Sequence, residues 1–194
     1  MEAFFEWFKI LYDNTGINLP FLYDSYDRDR MWNGFLMTIK LSVVSLIFSV
    51  IIGIIGAWLQ NSPLKWTRRI VGGYIQIFRN TPPLVQLYFF YFAIGSLLPK
   101  VANEYGGEVP MLGGFAWAAI SLSFFAGAFN VEIFRSGMEA VPDSTVEAAE
   151  ALGFSRFQIY KDITLPLAFR VILPALNNNL VNLVKTTTLA YAIA

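Results

Sequence analysis

Three long stretches of this sequence contain no charged residue, and they constrain the fold more than any other feature. They cover residues 41–59, 81–99 and 113–131. Each is close in length to the roughly 20 apolar residues that a helix needs to cross a bilayer core about 30 Å thick. A fourth apolar segment begins at Val171 and is interrupted by polar side chains. The pattern predicts an all-α integral membrane protein.

The composition agrees with this prediction and excludes several kinds of chemistry. The chain has 194 residues, of which 56% are hydrophobic and 14% charged, whereas soluble domains average about 45–50% apolar and about 25% charged residues. The formal net charge is zero, so no nucleic-acid partner is expected. The sequence contains neither cysteine nor histidine. Disulfides, thiol catalysis and the usual structural zinc sites are therefore excluded.

The distribution of basic residues predicts how the chain is oriented in the membrane. Residues 60–80 contain four Lys or Arg and no acid, whereas residues 100–111 contain one Lys and two acids. An excess of Lys and Arg in short loops marks the cytoplasmic side. We therefore expect residues 60–80 and the polar loop 136–169 inside, and the N-terminal region and residues 100–111 outside. Lys40, at the outer end of the first stretch, is expected to extend toward the interface.

The first 32 residues are predicted to form a separate extracytoplasmic or interfacial segment, followed by a membrane domain over residues 33–194. Residues 4–11 are rich in aromatic and aliphatic side chains but too few to span a bilayer. They fit an interfacial helix at the headgroup level or a helix packed against the bundle, and both alternatives stay open. Residues 13–30 are polar and are expected to be exposed.

Small residues recur at helical spacing in the first charge-free stretch. In membranes such residues allow helix backbones to approach closely. The stretch is therefore predicted to use this face for helix packing. Its members are Ser42, Ser45, Ser49, Gly53 and Gly56.

The polar loop contains local signals for two short helices separated by a sharp turn. Ser144 stands three residues before Glu147, and Ser155 three before Gln158, the spacing of a capping box at a helix start. The first helix is predicted over residues 145–152, with small residues that let another surface approach. Gly153 is predicted to end it in a left-handed conformation. Pro166 is predicted to end the second helix, because proline lacks an N–H donor.

This loop resembles the EAA loop of ABC importer permeases. The order Glu-Ala-Ala, three residues, Gly, nine residues and Ile-x-Leu-Pro is complete. The alternatives are an ordinary surface hairpin between spans and a DNA-binding helix-turn-helix, although the latter lacks a basic face. The resemblance implies that seven residues couple the chain to an ATPase: Glu147, Ala148, Ala149, Gly153, Ile163, Leu165 and Pro166.

Two further segments resemble the polar-amino-acid permeases among these importers, the His/Glu/Gln/Arg/opine type. They are residues 78–87 and 127–137. The chain departs from that pattern at Ser144 and Thr145, where the subfamily usually has Gly-Gln. The resemblance covers roughly residues 33–194. It implies a type I importer bundle of about five spans, the last of which we expect to lie beyond Ala194.

The resemblance also implies a function and a set of partners. The chain would be the permease subunit of an ATP-driven importer of polar amino acids in the cytoplasmic (inner) membrane of a prokaryote, working by alternating access. Its partners would be an ABC ATPase dimer, a second permease subunit that is identical or different, and an extracytoplasmic amino-acid-binding protein. No Gly-x-x-x-x-Gly-Lys-Ser/Thr sequence occurs, so the chain is expected to be no enzyme and to bind no cofactor, with ATP on the partners. The alternative is a self-sufficient channel or secondary carrier.

Polar residues in the apolar segments are candidates for the substrate path. Residues 177–185 hold four asparagines and one lysine, and polar groups at membrane depth usually face a bundle interior or a watery cavity. The alternative is that they only join helices by hydrogen bonds. The candidates are Gln86, Asn178, Asn182 and Lys185.

Overall fold

A computed structural model describes residues 2–102, 104 and 106–193. The chain forms two compact units, residues 1–40 and 41–194. The predicted division between residues 32 and 33 stays a prediction. Within the first unit, helix α1 covers Glu2–Thr15, a 3₁₀ turn covers Pro20–Leu22, and α2 begins at Ser25.

Helix α2 covers Ser25–Gln60, so it begins earlier than the sequence predicted for the first span. The carboxylate of Asp24 accepts a hydrogen bond from the backbone N–H of Tyr26 at 2.8 Å. An acceptor in this position satisfies one of the free donors of a helix start. Residues 25–30, part of the segment expected to be polar and exposed, are therefore helical.

The described residues of the second unit form helices, connecting turns and one small hairpin. Strand β1 (Lys100–Ala102) pairs antiparallel with β2 (Glu108–Pro110), with Val101 opposite Val109, so the loop predicted at residues 100–111 contains a hairpin. The α-helices after α2 are α3 (Lys65–Asn80), α4 (Pro83–Tyr88), α5 (Gly114–Glu139), α6 (Asp143–Ala151), α7 (Arg156–Gln158) and α8 (Leu165–Thr186). Helix α4 continues as a π turn, Phe89–Ile94, and a 3₁₀ turn, Gly95–Leu97; a second π turn, Ile159–Thr164, joins α7 to α8, and a 3₁₀ segment, Thr187–Ile193, follows α8.

Three helical segments in the described part of the chain are long and apolar enough to cross a membrane, judged by length and composition. They are Ser25–Gln60, Gly114–Glu139 and Arg156–Ile193. The span predicted over residues 81–99 is instead a shorter apolar helix, Pro83–Leu97, preceded by α3. Thr81 between them is extended, with φ −110° and ψ 133°, because a residue that precedes proline is disfavoured in the helical region.

Helix α5 is the most buried of the three long apolar segments. Of its most apolar 18 residues, 67% are buried, against 33% for α2 and 17% for Arg156–Ile193. The small-residue face predicted on α2 is confirmed, since Ser42, Ser45 and Ser49 are buried. A Cβ on Gly53 would collide with Asn130 of α5. The small residues therefore permit the close approach of the two backbones.

Helix α8 packs on α5 near the C-terminal end of α5. Gly137 of α5 lies so close to Ile172 of α8 that an added Cβ would overlap the isoleucine side chain. Ile172 also belongs to a buried cluster with Val141 and Ala168. The start of α8 and the end of α5 are thereby held together beside the loop that connects them.

Candidate functional site

The loop between α5 and α8 begins with helix α6, whose start differs from the prediction. The helix covers Asp143–Ala151, and the N-cap position is taken by Pro142. The capping box predicted for Ser144 and Glu147 is therefore wrong, because Ser144 already lies inside the first turn. The acidic Asp143 in that turn interacts favourably with the positive end of the helix dipole.

The end of α6 confirms the role predicted for Gly153. Gly153 has φ +84°, a conformation that costs a glycine little because it has no Cβ. The backbone N–H of Phe154 donates to the carbonyl of Ala149 at 3.1 Å, and that of Gly153 donates to Glu150 at 2.9 Å. These two bonds form a Schellman motif, which closes the free carbonyls of the helix end.

The next helix begins with the predicted capping box but does not end where predicted. The N–H of Gln158 donates to the Ser155 hydroxyl, and the N–H of Ser155 donates to the Gln158 side chain at 2.9 Å. Pro166 was predicted to stop this helix and does not: it is the second residue of α8. The π turn Ile159–Thr164 precedes it, and this wider backbone spacing lets the helix accommodate a residue without an N–H.

The side chains of the loop differ in exposure from the predicted arrangement. Ala148 is exposed, but Ala149 is only 4% exposed and packs within the chain. The prediction that both alanines form one outward face is therefore wrong for Ala149. Large apolar side chains lie on the outside instead: Leu152 is 77% and Phe157 72% exposed. Of the other predicted coupling residues, Glu147, Leu165 and Pro166 are exposed and Ile163 is half-buried.

The four predicted path residues do not share one environment. Gln86 is 5% exposed, and its amide Nε2 donates to the carbonyls of Phe78 and Thr81, both at 2.8 Å. Gln86 thus stabilises the break between α3 and α4. Asn178, Asn182 and Lys185 lie on the exposed surface of α8.

A buried polar network that the sequence analysis missed joins three helices. The Asn179 amide donates to the Asn130 side chain at 2.8 Å and to the Ala126 carbonyl at 3.0 Å. The Asn130 amide donates in turn to the Ser49 hydroxyl at 3.2 Å. Asn130 and Ser49 are completely buried and Asn179 is 9% exposed. The signal was the helical spacing of Ala168, Ile172, Asn179 and Leu183, all of which are buried and lie on one face.

A second polar cluster lies where α3 ends beside α5. The Arg79 guanidinium is 3.4 Å from the Glu132 carboxylate and 5.2 Å from the centroid of the Phe129 ring. Glu132 also pairs with Arg135, which pairs more closely with Glu139 at 2.7 Å. Arg79, counted in the sequence analysis only as a cytoplasmic charge, borders an opening lined by Ile75, Gln76, Arg79, Asn80 and Phe129.

Long apolar helices pack around α5, and buried amides join them. A capped helical hairpin lies between α5 and α8. This architecture is that of an integral membrane protein. The sequence signature of the family described as "Binding-protein-dependent transport system inner membrane component" matches residues 49–194. The chain belongs to this family of transport permeases.

Comparisons with individual proteins agree with the family assignment. The chain is 35% identical over 160 residues to the histidine/lysine/arginine/ornithine transport system permease protein HisQ of Escherichia coli, covering 80% of this chain and 68% of HisQ. It is 32% identical over 165 residues to the glutamate/aspartate import permease protein GltJ of the same organism, covering 84% of this chain and 67% of GltJ.

Among solved structures, an amino acid ABC transporter with histidines matches with a TM-score of 0.74 and 27% identity, covering 91% of this chain and 78% of that chain. The MetNI methionine ABC transporter has the same fold, with a TM-score of 0.63, at 21% identity and with 86% of this chain and 76% of that chain covered. The predicted all-α, type I importer fold and the predicted resemblance to amino-acid ABC permeases are confirmed.

Proposed function

We propose that this chain is the permease subunit of an ATP-driven importer that moves polar amino acids across the cytoplasmic membrane of a prokaryote. The observation that carries the proposal is the capped hairpin α6–α7 on a member of an import permease family. Relatives named for transport of histidine, lysine, arginine and ornithine and for import of glutamate and aspartate indicate the substrate class. Transport would proceed by alternating access, in several membrane passes.

The energy for import would come from a partner. The sequence has no motif for binding ATP phosphates, so hydrolysis would reside in an ABC ATPase dimer that contacts the hairpin. A second permease subunit and an extracytoplasmic amino-acid-binding protein would complete the transporter. In this arrangement residues 136–169 form the cytoplasmic coupling loop of a domain over residues 33–194, and residues 1–32 stay extracytoplasmic or interfacial.

The exposed apolar side chains at the tip of the hairpin suit the ATPase contact. Leu152 and Phe157 are the most exposed large apolar side chains of this loop, and burial of apolar surface is the dominant favourable term in most protein–protein association. Ala148 would permit close approach beside them, and Glu147 would meet a basic group. Ala149 would hold α6 against the rest of the loop.

The remaining predicted residues keep their proposed roles in geometry and in the path. Gly153 would set the turn between the two helices, and Ile163, Leu165 and Pro166 would carry the contact into α8. Asn178, Asn182 and Lys185 lie on the exposed face of α8, where they would line a path formed with the second permease subunit. Loss of transport in Lys185→Met would support that role.

Co-purification tests the proposal. Pull-down of this chain from membranes of its native host should recover an ATPase whose activity rises with one polar amino acid plus the binding protein. A double variant, Leu152→Ser with Phe157→Ser, should insert normally and lose the ATPase. The matched control replaces two exposed aliphatic residues of the β1–β2 hairpin, Val101 and Val109, by serine. An ATPase-free preparation that still transports amino acids would contradict the proposal.

The orientation has a separate test, since the natural chain has no cysteine. Ser144 is exposed and is not the N-cap of α6, so Ser144→Cys should leave the loop intact. An impermeant maleimide should label it in inside-out vesicles but not in intact cells. Labelling in intact cells would contradict a cytoplasmic loop.

A further inference from the structure

The helix that precedes β1 is interrupted between α3 and α4, and the interruption is stabilised. Thr81 and Pro82 are extended. The Gln86 side-chain amide donates hydrogen bonds to the carbonyls of Phe78 and Thr81. Non-helical backbone at membrane depth is tolerated only where it is buried in protein or lines a watery cavity. Broken helices of transporters place their binding sites at such points.

Contacts with neighbouring helices show the depth of this break. Ser49 lies in the middle of the charge-free residues 41–59 and is hydrogen-bonded to Asn130. Phe129 and Glu132, which contact Arg79, flank Asn130 on α5. Gly53 and Gly56 of α2 face Asn130 and Val131, so the Arg79–Glu132 pair lies beside the second half of the charge-free residues 41–59. An ionisable side chain at this depth is costly and indicates a functional site.

Arg79 has donor capacity that its neighbours leave free. Its contact with an acid within the described part of the chain is the 3.4 Å approach to Glu132, and Glu132 is shared with Arg135. A guanidinium carries five N–H donors in a planar fork that matches a carboxylate. Arg79 is 41% exposed and faces an opening with the amides of Gln76 and Asn80 and the ring of Phe129.

We propose that this opening binds the α-carboxylate of the transported amino acid, with the Arg79 guanidinium as its main partner. The proposal rests on the proposed function, since it names the binding site for the same substrates. Gln76, whose side-chain oxygen accepts a 3.1 Å hydrogen bond from Asn80 at the rim, supplies a further polar group. The Phe129 ring centroid lies 5.2 Å from the guanidinium carbon. Glu132 balances the charge of Arg79 when the opening is empty.

A purely structural role for Arg79 explains less of this arrangement. A cation at the end of α3 interacts favourably with the helix dipole, but a surface position would serve that purpose without the cost of membrane depth. An ion pair that only joined α3 to α5 would not need an opening lined by two amides beside it. A cation, two amides and an aromatic ring around one opening are the groups that fix the orientation of a small polar ligand.

Protection of a single cysteine tests the site directly. Asn80→Cys in the complete transporter, purified in detergent without its binding protein, is labelled with a maleimide in the presence of L-glutamine, L-glutamate, L-histidine or L-arginine. The α-carboxamide of each amino acid serves as the control ligand. At least one free amino acid should slow labelling, and its carboxamide should not, because the amide lacks the negative charge that Arg79 binds.

A second substitution identifies the cation. With Arg79→Gln added, protection should need roughly tenfold to a hundredfold more amino acid, the effect of losing a charged hydrogen bond. Arg79→Lys should lie between the two, because it keeps the charge and loses the fork. Arg68→Gln, an exposed cation on the same helix, is the matched control and should change nothing. Thermal unfolding of each variant shows whether it is folded.

The outcomes separate this inference from the proposed function. If the complete wild-type transporter with its binding protein takes up one of the four amino acids, but none of them slows labelling of Asn80→Cys, the carboxylate site is overturned and the transport function stands. Equal protection by the carboxamides, or unchanged protection in the Arg79→Gln and Arg79→Lys variants, also overturns it. Protection without uptake supports the site and contradicts the transport function, and absence of both contradicts both.

Discussion

Replacement of Asn179 by leucine should destabilise the bundle far more than the same replacement one residue earlier. Asn179 donates to Asn130 at 2.8 Å and to the Ala126 carbonyl at 3.0 Å, whereas Asn178 lies on the exposed side of α8. Hydrogen bonds between helices in membranes contribute on average about 0.6 kcal/mol and up to about 2 kcal/mol each. Loss of two such bonds should therefore cost about 1–4 kcal/mol. Leucine is close to asparagine in size, so a cavity adds little.

Thermal unfolding of the detergent-purified chain measures this difference. Asn179→Leu should unfold at a clearly lower temperature than the natural chain, and Asn178→Leu at nearly the same temperature. The partner variant Asn130→Leu also breaks the bond to Ser49, so it should cost at least as much as Asn179→Leu. Because the two asparagines share one hydrogen bond, the double variant should be less destabilised than the sum of the single variants.

Two results would refute this reasoning. Equal unfolding temperatures for Asn178→Leu and Asn179→Leu would show that burial of the amide has no energetic consequence. Strict additivity of Asn130→Leu and Asn179→Leu would show that the two side chains do not interact.

Three further predictions concern the loop and the α5–α8 contact. Gly153→Val forces φ +84° on a β-branched residue at a cost of about 1–2 kcal/mol, so ATPase recovery in pull-downs should fall. Asparagine tolerates this conformation, so Gly153→Asn should recover as much ATPase as the natural chain. Equal ATPase recovery with Gly153→Val and Gly153→Asn would contradict the role of the turn. Ser155→Ala removes a cap worth about 1 kcal/mol and should lower the unfolding temperature, while Ser144→Ala should leave it unchanged. A larger effect of Ser144→Ala would show that Ser144 does cap α6. Gly137→Val would overlap Ile172 and cost about 1–3 kcal/mol; Ile172→Ala should restore part of this stability, and an unaltered Gly137→Val would refute the close contact.

Local signals in the sequence predicted the structure where one side chain and its neighbours determine the backbone. Gly153 and Ser155 are such cases, since a left-handed turn and a capping box depend on a few consecutive residues. The small-residue face of α2 was equally readable, because helical spacing alone places its members together. Ser144 shows the limit: the same Ser-x-x-Glu spacing fits a position inside the first turn, and Pro142 and Asp143 begin the helix first.

The parts of the site that the sequence did not reveal depend on contacts between distant elements. Asn179 could not be told from Asn178 by composition, because only packing on α5 buries one and exposes the other. Arg79 counted as a cytoplasmic charge because residues 60–80 contain four Lys or Arg and no acid, yet α3 packs along α5 and places this residue beside Glu132. Gln86 was assigned to the path for its polarity, but its amide is used by the carbonyls of the helix break.

The error at Pro166 changes how the proposed coupling would work. A helix that stopped at Pro166 would leave a flexible joint between the ATPase contact and the membrane. Residues 156–193 are instead helical without interruption, so a displacement of the hairpin at Phe157 would move α8 as one body. The contacts that connect α8 to α5 include Ile172 against Gly137 and, two turns further, Asn179 bonded to Asn130. Asn130 lies beside Phe129, which holds Arg79. The loop thus has a continuous route of packed side chains to the proposed carboxylate site, and disconnecting it at Asn179 should separate ATP hydrolysis from amino-acid binding.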